Sequence, residues 1–382
     1  MINLALFTTS RAEYGLISSL IDEIDNDALI EYSLFVGGGH FAEAQGKSIS
    51  EIVTGGRNIV EFDFLLSSDS EKTLSQSLSI ESFQLASIFE SNRFDFVVLL
   101  GDRIELLPII QTAIIFRKPI VHIHGGEITE GAIDDQVRHM ITKAAHIHFC
   151  IADEYKMNIR KMGEESWRIH NVGALGAGLI QSTNETSKKE LFLSIGLDPE
   201  KPTVLMTYHP VTLEQELGTE DQVNNLFHAL SKHNFQILIT APNIDLNHDI
   251  IFDIIHAECE KNEDYHFIAT LGIVKFQALL HNALFVIGNS SSGVLEVPFF
   301  KIPTINIGDR QKGRLRHRSV IDTDYSESSI TDAISIAISD NFRKSIVGMN
   351  YLFGNGTAAK QMLNILKSVT IDQKLMRKKL ER

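Results

Sequence analysis

Residues 94–103 read FDFVVLLGDR, and residues 118–127 read KPIVHIHGGE. In both stretches an apolar run ends at glycine, and charged residues follow. Runs that are apolar on both faces are typical of strands in a parallel sheet covered by helices. The carboxyl ends of such strands lie along one edge of the sheet, where ligands bind. The two stretches therefore predict an α/β fold with a site just after the strands.

Short apolar runs alternate with longer amphipathic runs on both sides of these stretches. The first half predicts strands at 3–7, 31–36, 59–62, 94–100, 120–124 and 147–151, and helices at 14–24, 41–52, 71–90, 104–116 and 134–145. The second half predicts strands at 203–208, 236–240, 266–269, 284–287 and 303–307, and helices at 221–232, 248–260, 275–281, 292–297 and 329–339. A polar cluster at 181–189 is a candidate linker. This alternation predicts two doubly wound, Rossmann-like domains with a cleft between them.

The composition is that of a globular protein with core enough for two domains. The 382 residues are 43% hydrophobic and 22% charged, which excludes disorder or a coiled coil as the main architecture. A net charge of −14 argues against a protein that coats nucleic acid. Two cysteines, Cys150 and Cys259, lie in apolar stretches and are expected to be buried thiols.

Membrane insertion and secretion are both disfavoured by the apolar patterning. The longest apolar stretch, at 106–116, is much shorter than the ~20 residues that a spanning helix needs. The first residues carry no basic leader of the kind that a signal peptide has. We therefore expect a soluble, cytoplasmic protein.

Seven predicted strands deliver polar, glycine-flanked clusters to the same edge. The clusters are TTSRAEY at 8–14, GDR at 101–103, GGE at 125–127, HP at 209–210, PN at 242–243, GNSSSG at 288–293 and GDR at 308–310. Each cluster alone is weak evidence. Together they predict a large polar cleft that faces both domains.

Three carboxylates stand at or just after neighbouring strand ends of the first half: Asp102, Glu127 and Asp134. Acidic groups held close together share protons, so one can act as base while another acts as acid. The competing interpretation is simple salt bridging with Arg103 or Arg138. The coincidence of three carboxylates favours chemistry.

The GNSSSG cluster favours a phosphate or a pyrophosphate. Glycines let the backbone approach a ligand, and Ser291 and Ser292 can open the helix that follows, where free N–H groups and hydroxyls favour an anion. Glu296 follows about one turn later and could take the hydroxyls of a ribose. The plainer interpretation is an ordinary serine cap. The sequence is neither a Walker loop nor a GxGxxG fingerprint.

Histidines and arginines leave further alternatives. His122 and His124 alternate on a strand, so they could bind zinc, but two hydrogen-bonded core histidines are the preferred reading and no metal is expected. His209 precedes Pro210 at a strand end and suits a phosphate or sugar contact. The basic run at 310–318 is either a solvated loop or, through Arg310, an anion contact faced by Arg11 from the other half.

Taken together, these segments resemble the hydrolysing UDP-N-acetylglucosamine 2-epimerases of bacterial sialic- and legionaminic-acid biosynthesis. The segments that carry the resemblance are SRAEYG at 10–15, GDR at 101–103, HIHGGEITEGAIDDQVRH at 122–139, HPVTLE at 209–214, PNID at 242–245, GNSSSGVLEVP at 288–298 and INIGDRQKGR at 305–314. The resemblance implies a GT-B-like fold with domains at 1–180 and 181–350. Residues 351–382 would then hold a helix at 354–369 that crosses back to the first domain, followed by a solvated basic tail.

The resemblance also implies a set of site residues. The catalytic set is Asp102, Glu127, Asp134 and His209, with Asp135 beside it. The basic and phosphate-binding set is Arg11, Arg103, Arg138, His209 and Arg310, and the uridine diphosphate side is Asn243, Ser290, Ser291 and Glu296. Which carboxylate is base and which is acid stays open.

The implied reaction removes the proton at C2, expels the nucleoside diphosphate from C1 and then adds water to the resulting 2-acetamidoglucal. It needs no metal or redox cofactor. The sugar is N-acetylglucosamine or N,N'-diacetylbacillosamine, and the nucleotide UDP or GDP. A homodimer or homotetramer with no nucleic-acid or membrane partner is expected. The competing classes are a GT-B glycosyltransferase, a nucleotide-sugar-binding regulator without turnover and a metal hydrolase.

Overall fold

The computed structural model describes residues 1–43, 47–53, 58–66, 70–130, 132–179, 187–211, 217–242 and 248–381. The chain forms two compact units. Unit 1 comprises Met1–Glu127, Asp134–Gln181 and Phe353–Arg382, and unit 2 comprises Ile128–Ile133 and Ser182–Leu352. Each unit is therefore assembled from segments that are distant in sequence.

Each unit contains one parallel sheet. The strands are β1 (Ile2–Thr8), β2 (Ile30–Gly37), β3 (Ile59–Phe62), β4 (Phe96–Leu100), β5 (Ile120–Ile123), β6 (Ile147–Cys150), β7 (Ile169–Asn171), β8 (Thr203–Thr207), β9 (Gln236–Thr240), β10 (Tyr265–Ile268), β11 (Phe285–Gly288), β12 (Thr304–Ile307) and β13 (Val320–Thr323). The order is β3-β2-β1-β4-β5-β6-β7 in unit 1 and β10-β9-β8-β11-β12-β13 in unit 2. Both orders reverse direction at a switch point, between β1 and β4 and between β8 and β11, where ligands bind in doubly wound sheets.

Helices connect the strands. They are α1 (Arg11–Asp25), α2 (Ile49–Val53), α3 (Glu71–Ser91), α4 (Leu106–Ile115), α5 (Asp134–Ala144), α6 (Asp153–Lys161), α7 (Gly176–Leu179), α8 (Lys188–Ser194), α9 (Thr219–Ser231), α10 (His248–Lys261), α11 (Gly272–Leu280), α12 (Ser291–Leu295), α13 (Glu327–Ile338), α14 (Asp340–Ile346), α15 (Ala358–Ser368) and α16 (Gln373–Met376). Among the described ranges, no helix combines the length and the apolar character needed to cross a bilayer.

The sheet of unit 1 is buried on both faces. Leu4 and Leu6 of β1 join a core with α1 and α15, while Ala5 and Phe7 join a second core with α3, α4 and α5. Successive side chains of a strand point to opposite faces, so a continuous apolar run serves both cores. The same logic holds in unit 2, where alternate residues of β8 pack in two cores, one of them with α9, α10 and α13.

The structure confirms every predicted strand, with ends shifted by two residues or fewer. The sequence pattern missed β7 and β13, the short strands at one edge of each sheet. Edge strands are partly exposed, so they lack the apolar run that identifies a central strand. Helices α6, α7, α8, α14 and α16 were also missed. Cys150 is buried as predicted, but Cys259 is only partly buried.

The predicted helix at 41–52 is wrong. A 3-10 turn at Gly38–Phe41 and the short helix α2 (Ile49–Val53) take its place, and residues 44–46 lie outside the described residues. The buried imidazole of His40 explains the difference, since it lies 2.9 Å from the Thr8 hydroxyl and 2.8 Å from the Ser48 hydroxyl. These contacts join the 3-10 turn to Thr8 at the end of β1 and to Ser48 just before α2.

The end of the chain also departs from expectation. Helix α15 begins at Ala358 and not at 354, because Gly354 and Gly356 adopt left-handed φ values of 93° and 85° that a helix does not accept. The tail that follows is not simply solvated: Leu375 is buried. The ammonium of Lys378 lies 2.8 Å from the Glu164 carboxylate. The tail therefore packs against the rest of unit 1 through apolar and ionic contacts.

The predicted linker at 181–189 lies mostly outside the described residues. Residues 180–186 lie outside the described residues, while Lys188 opens α8. The hydroxyl of Ser187 accepts a hydrogen bond from the Glu190 amide, which caps this helix.

Candidate active site

The turn after β1 is fixed by a buried carboxylate. Ser10 caps α1, and a single oxygen of Glu13 accepts hydrogen bonds from the Thr9 amide at 2.7 Å, the Ser10 amide at 2.9 Å and the Thr9 hydroxyl at 2.9 Å. This reciprocal capping box satisfies donors at the helix start. It also positions Arg11, the first residue of α1, at the switch point of unit 1.

A group of carboxylates lies behind this turn. Burial raises the pKa of Glu13 to about 7, and the Glu105 carboxylate raises it further, whereas Arg103 lowers it. Glu81 of α3 is fully buried, and neither of its oxygens has a hydrogen-bond partner. Burial raises the pKa of Glu81 to about 10, with added repulsion from Glu105 and Glu13. Glu81 is therefore protonated at neutral pH, and the pKa of Glu13 lies close to neutral pH.

The same turn is backed by the imidazole of His40. Burial lowers the pKa of His40 to about 4, and the positive charge of Arg11 lowers it further. The ring is neutral at physiological pH and acts as a hydrogen-bonding spacer between two hydroxyls.

Arg138 of α5 gathers the acidic groups that the sequence singles out. Its guanidinium, only 1% exposed, pairs with the carboxylate of Asp102, which follows β4. The same group donates to the Asp135 carboxylate at 3.2 Å and to the backbone oxygen of Glu127 at 3.1 Å. One buried arginine thus joins the ends of β4 and β5 to the start of α5, where Asp134 is the first residue.

Arg103 has a different partner. Its guanidinium donates to the Glu105 carboxylate at 2.8 Å, and both side chains are largely buried. The salt bridging considered from sequence is therefore present at Asp102, with Arg138 as the partner, while Arg103 pairs with an acid outside the predicted set.

The loop after β5 brings Glu127 against His124. The Nδ1 atom of His124 lies 2.8 Å from Oε1 of Glu127, and both side chains are buried. Gly126 makes the turn possible, with φ of 81°. A Cβ atom there would lie 2.4 Å from the backbone oxygen of Tyr155. Asn158 donates to the Gly126 oxygen at 3.0 Å and so holds the loop from α6.

His122 is a core histidine. Its Nε2 lies 2.8 Å from the Gly101 oxygen and its Nδ1 lies 3.1 Å from the Thr142 hydroxyl. Burial lowers the pKa of His122 to about 3, which keeps the ring neutral. In the part of the chain that the structure describes, no three His, Cys, Asp or Glu residues are grouped so that they could hold a metal ion.

Unit 2 has a polar group at its own switch point. Asn289, which follows β11, accepts a hydrogen bond from the His209 amide at 2.7 Å and donates to the His209 oxygen at 2.8 Å. This reciprocal pair ties the end of β8 to the end of β11. The backbone oxygen of Asn289 accepts hydrogen bonds from the Arg310 guanidinium at 3.3 Å and from the Gln311 side-chain amide at 3.0 Å. His209 and Arg310, both predicted from sequence, therefore lie in one buried network.

The remaining predicted residues surround the start of α12. Ser290 is the residue before this helix, and its hydroxyl lies 3.1 Å from that of Ser292. Ser291 opens the helix, and Glu296 follows its last residue. Asn243 lies outside the described residues.

Sequence reasoning missed Glu13 and Asn289, and it did not anticipate the contact of His124 with Glu127. Two signals were present. Glu13 stands three residues after Ser10, which is the spacing of a capping box. Asn289 stands inside the GNSSSG motif, directly after a strand end. The strained backbone of His124 left no signal in the sequence.

The fold and the site first define a class. Two Rossmann-like α/β units, each with polar side chains at its switch point, are the GT-B-like architecture of nucleotide-sugar enzymes. The crystal structure of UDP-GlcNAc 2-epimerase from Neisseria meningitidis bound to UDP-GlcNAc has this fold. It aligns with a TM-score of 0.78 at 16% sequence identity, over 97% of this chain and 100% of that one. The GT-B-like fold predicted from sequence is confirmed.

Sequence comparison identifies the family. The profile of the UDP-N-acetylglucosamine 2-epimerase family matches residues 22–367. The chain is 36% identical to the GDP/UDP-N,N'-diacetylbacillosamine 2-epimerase (hydrolyzing) of Campylobacter jejuni, over 85% of each chain. It is 30% identical to the UDP-N,N'-diacetylbacillosamine 2-epimerase (hydrolyzing) of Legionella pneumophila, over 97% of each chain.

The chain therefore belongs to the UDP-N-acetylglucosamine 2-epimerase family. It is an enzyme that acts on a nucleotide sugar, a hydrolysing 2-epimerase, as the sequence predicts.

Proposed function

We propose that the enzyme hydrolyses a UDP-linked 2-acetamido sugar with inversion at C2. The observation that supports this most is the buried Arg138, which joins the Asp102 carboxylate to the backbone of Glu127 and to the start of α5. The carboxylates of Asp102 and Asp135 and the backbone of Glu127 are thereby held around one guanidinium. Carboxylates held close together provide both a base and an acid for proton transfer at carbon.

The proposed reaction has two stages. One of Asp102, Glu127 and Asp134 takes the proton from C2, the C1–C2 double bond forms, and the C1–O bond breaks with its electron pair leaving on the nucleoside diphosphate. Water then adds to the 2-acetamidoglucal. Its hydroxyl goes to C1, and a proton goes to C2 on the face opposite to that from which the first proton was removed. The product is a free sugar inverted at C2, plus UDP.

We assign the departing diphosphate to the cationic and hydroxyl groups. In unit 2 these are His209, Ser290, Ser291 and Arg310, with Glu296 for the ribose, and Asn243 as a further predicted contact. In unit 1 they are Arg11 and Arg103. Positive groups that are already in place stabilise charge as it develops on the leaving oxygen. Asn289 supports this assignment, because it fixes the backbone on both sides of His209.

Two sugars are candidates, N-acetylglucosamine and N,N'-diacetylbacillosamine. The second has specific support, since the Campylobacter and Legionella relatives are named for it. A Neisseria meningitidis relative of 30% identity is named UDP-N-acetylglucosamine 2-epimerase. The deciding measurement is proton and phosphorus NMR with each UDP-sugar in D₂O, side by side. We expect release of UDP with deuterium at C2 of the inverted sugar. UDP release without deuterium at C2 contradicts elimination and addition.

The site assignment is tested by neutral variants. Asp102→Asn and Glu127→Gln should abolish turnover while the affinity for UDP, measured by calorimetry, stays within a few-fold. Ser291→Ala and Glu296→Ala should chiefly weaken UDP binding. Glu154→Gln, an exposed carboxylate of α6, is the matched control and should behave as the unsubstituted enzyme. If the first two variants lose only stability, the catalytic assignment is wrong.

The wider setting is also a proposal. We infer a cytoplasmic homodimer or homotetramer that serves sialic- or legionaminic-acid synthesis without a metal or redox cofactor. Light scattering of the purified chain measures the oligomeric state. Turnover that persists after exhaustive treatment with a chelator supports the metal-free chemistry.

A further inference from the structure

A short segment of the chain joins two of the carboxylates that we assign to proton transfer. Residues 128–133 separate Glu127 from Asp134. This 128–133 segment belongs to unit 2, whereas Glu127 and Asp134 belong to unit 1. Residues 128–130, 132 and 133 of the segment are described. Because the segment continues directly into both acidic residues, its position affects the backbone that carries each of them.

The 128–133 segment contacts the turn at 309–314, also in unit 2. The Glu130 amide donates to the backbone oxygen of Lys312 at 3.0 Å. Next to this hydrogen bond, Ile128 lies against Gly313, whose φ of 89° is in the left-handed region. A Cβ atom on Gly313 would lie 2.4 Å from Cγ2 and 3.0 Å from Cβ of Ile128. Ile128 can therefore keep its place only opposite a glycine.

The turn is the less movable side of this contact. The side chain of Gln311, only 1% exposed, donates to the backbone oxygen of Asn289 at 3.0 Å. The Arg316 guanidinium donates to the backbone oxygen of Gln311 at 2.7 Å. Ile128, by contrast, is only partly buried. A side chain introduced at position 313 should therefore displace Ile128 and leave the turn in place.

We propose that Gly313 is a positioning residue of the reaction, because its lack of a side chain lets the 128–133 segment hold Glu127 and Asp134 in their working places. This rests on the proposed catalytic role of those two carboxylates. Ile128 is bonded directly to Glu127, and a misplacement of about 1 Å near the reacting atoms costs about 100-fold in rate. The same turn carries Arg310, which we assign to the departing diphosphate, so turnover and nucleotide affinity report on its two sides separately.

Substitutions in the full-length enzyme separate the steric contact from backbone strain. Gly313→Ala introduces the Cβ atom. Gly196→Ala is the matched control in unit 2, because Gly196 has a similar φ of 74° and a Cβ there would meet nothing within 4 Å. Both variants carry the strain of a left-handed alanine, but only the first meets Ile128. A double variant, Gly313→Ala with Ile128→Ala, removes the Cγ2 atom that makes the closest approach.

We expect Gly313→Ala to lose about 10- to 100-fold in kcat, while the dissociation constant of UDP, measured by calorimetry, changes by only a few-fold. Both Gly313→Ala and Gly196→Ala should melt a few degrees lower, but Gly196→Ala should keep its kcat. Ile128→Ala alone should lose only a few-fold in kcat, since the hydrogen bond from Glu130 to Lys312 remains. The double variant should return to the level of Ile128→Ala, so the two effects are not additive.

Three results overturn the inference. The first is a Gly313→Ala enzyme with unaltered kcat while Glu127→Gln is inactive. The second is an equal loss of kcat and UDP affinity in Gly313→Ala, which means that the turn has moved. The third is a loss of kcat in Gly196→Ala, or in the double variant, as large as that in Gly313→Ala. Active Glu127→Gln and Asp134→Asn enzymes refute instead the catalytic role of these carboxylates, which keeps the two failures distinct.

Discussion

Replacement of Glu81 by glutamine should stabilise unit 1, and the gain should depend on pH. Glu81 lies fully buried on α3, and neither oxygen has a partner. Its pKa is about 10 in the folded protein against 4.5 as the ordinary value. The folded state therefore keeps the proton that the unfolded chain releases, so the free energy of unfolding falls as the pH rises from about 4.5 to about 10.

The magnitude follows from that difference in pKa. Each pH unit above the unfolded pKa, up to the folded pKa, corresponds to about 1.4 kcal/mol. At pH 7 the folded state is therefore destabilised by about 3 kcal/mol relative to acid conditions. Glutamine does not ionise and avoids this cost. Glu81→Gln should therefore be more stable than the unsubstituted enzyme by about 3 kcal/mol at pH 7. The difference should vanish near pH 4.5 and widen by about 1.4 kcal/mol per unit up to pH 9.

The assay is urea unfolding followed by tryptophan fluorescence. The chain has one tryptophan, Trp167, and it lies in unit 1, so its signal reports on the unit that contains Glu81. Glu90→Gln is the matched control, because Glu90 lies exposed on the same helix and is solvated in both states. The free energy of unfolding of Glu90→Gln should stay close to that of the unsubstituted enzyme at every pH. If Glu81→Gln and the unsubstituted enzyme lose stability in parallel from pH 5 to pH 8, Glu81 is not held protonated by burial.

Three further substitutions and one labelling experiment test other parts of the fold. Gly288→Ala should destabilise by about 2 kcal/mol or more in thermal unfolding, since φ is 137° and a Cβ would lie 1.9 Å from the Thr207 oxygen. Gly15→Ala, with open space around it in α1, should stabilise by about 1 kcal/mol. Arg168→Ala should cost about 3 kcal/mol or more in urea unfolding followed by circular dichroism, because this fully buried guanidinium donates to three backbone oxygens; an unchanged midpoint refutes that. Burial raises the pKa of Cys150 to about 12, so a maleimide should label it only after unfolding, and mass spectrometry of native protein with Cys150 modified contradicts this.

The central strands were predictable because their apolar runs are long and buried on both faces. FVVLL in β4 and ILIT in β9 are examples. The strands β7 and β13 were not, since an edge strand shares its half-exposed pattern with a loop. The segment at 41–52 failed for another reason. Its amphipathic spacing suits a helix, but the described part contains a 3-10 turn that ends at Phe41 and the short helix α2, and the buried His40 beside it contacts Thr8, a partner 32 positions away in sequence.

The candidate site shows the same division between local and long-range information. Strand ends followed by glycine and charge located Asp102, Glu127, His209 and Arg310, because parallel sheets collect such ends at one edge. The pairing of an acid with Arg138 could be raised from sequence only as one alternative, and the pairing of Asn289 with His209 was not predicted. Arg138 reaches Asp102 across 36 positions of sequence, and Asn289 reaches His209 across 80. A pairing at that distance depends on the folded backbone, and no local pattern encodes it.

The segmented composition of unit 1 has a consequence for the order in which the chain acquires structure during synthesis. The ribosome delivers β1 first, yet the core beneath β1 includes Met362 and Leu366 of α15, and Asp27 pairs with Lys367 across 340 positions. Most of unit 2 is one uninterrupted stretch, Ser182–Leu352. Unit 2 can therefore fold while the earlier part of unit 1 still exposes apolar surface to chaperones, and α15, which is translated after unit 2, completes the core that contains β1.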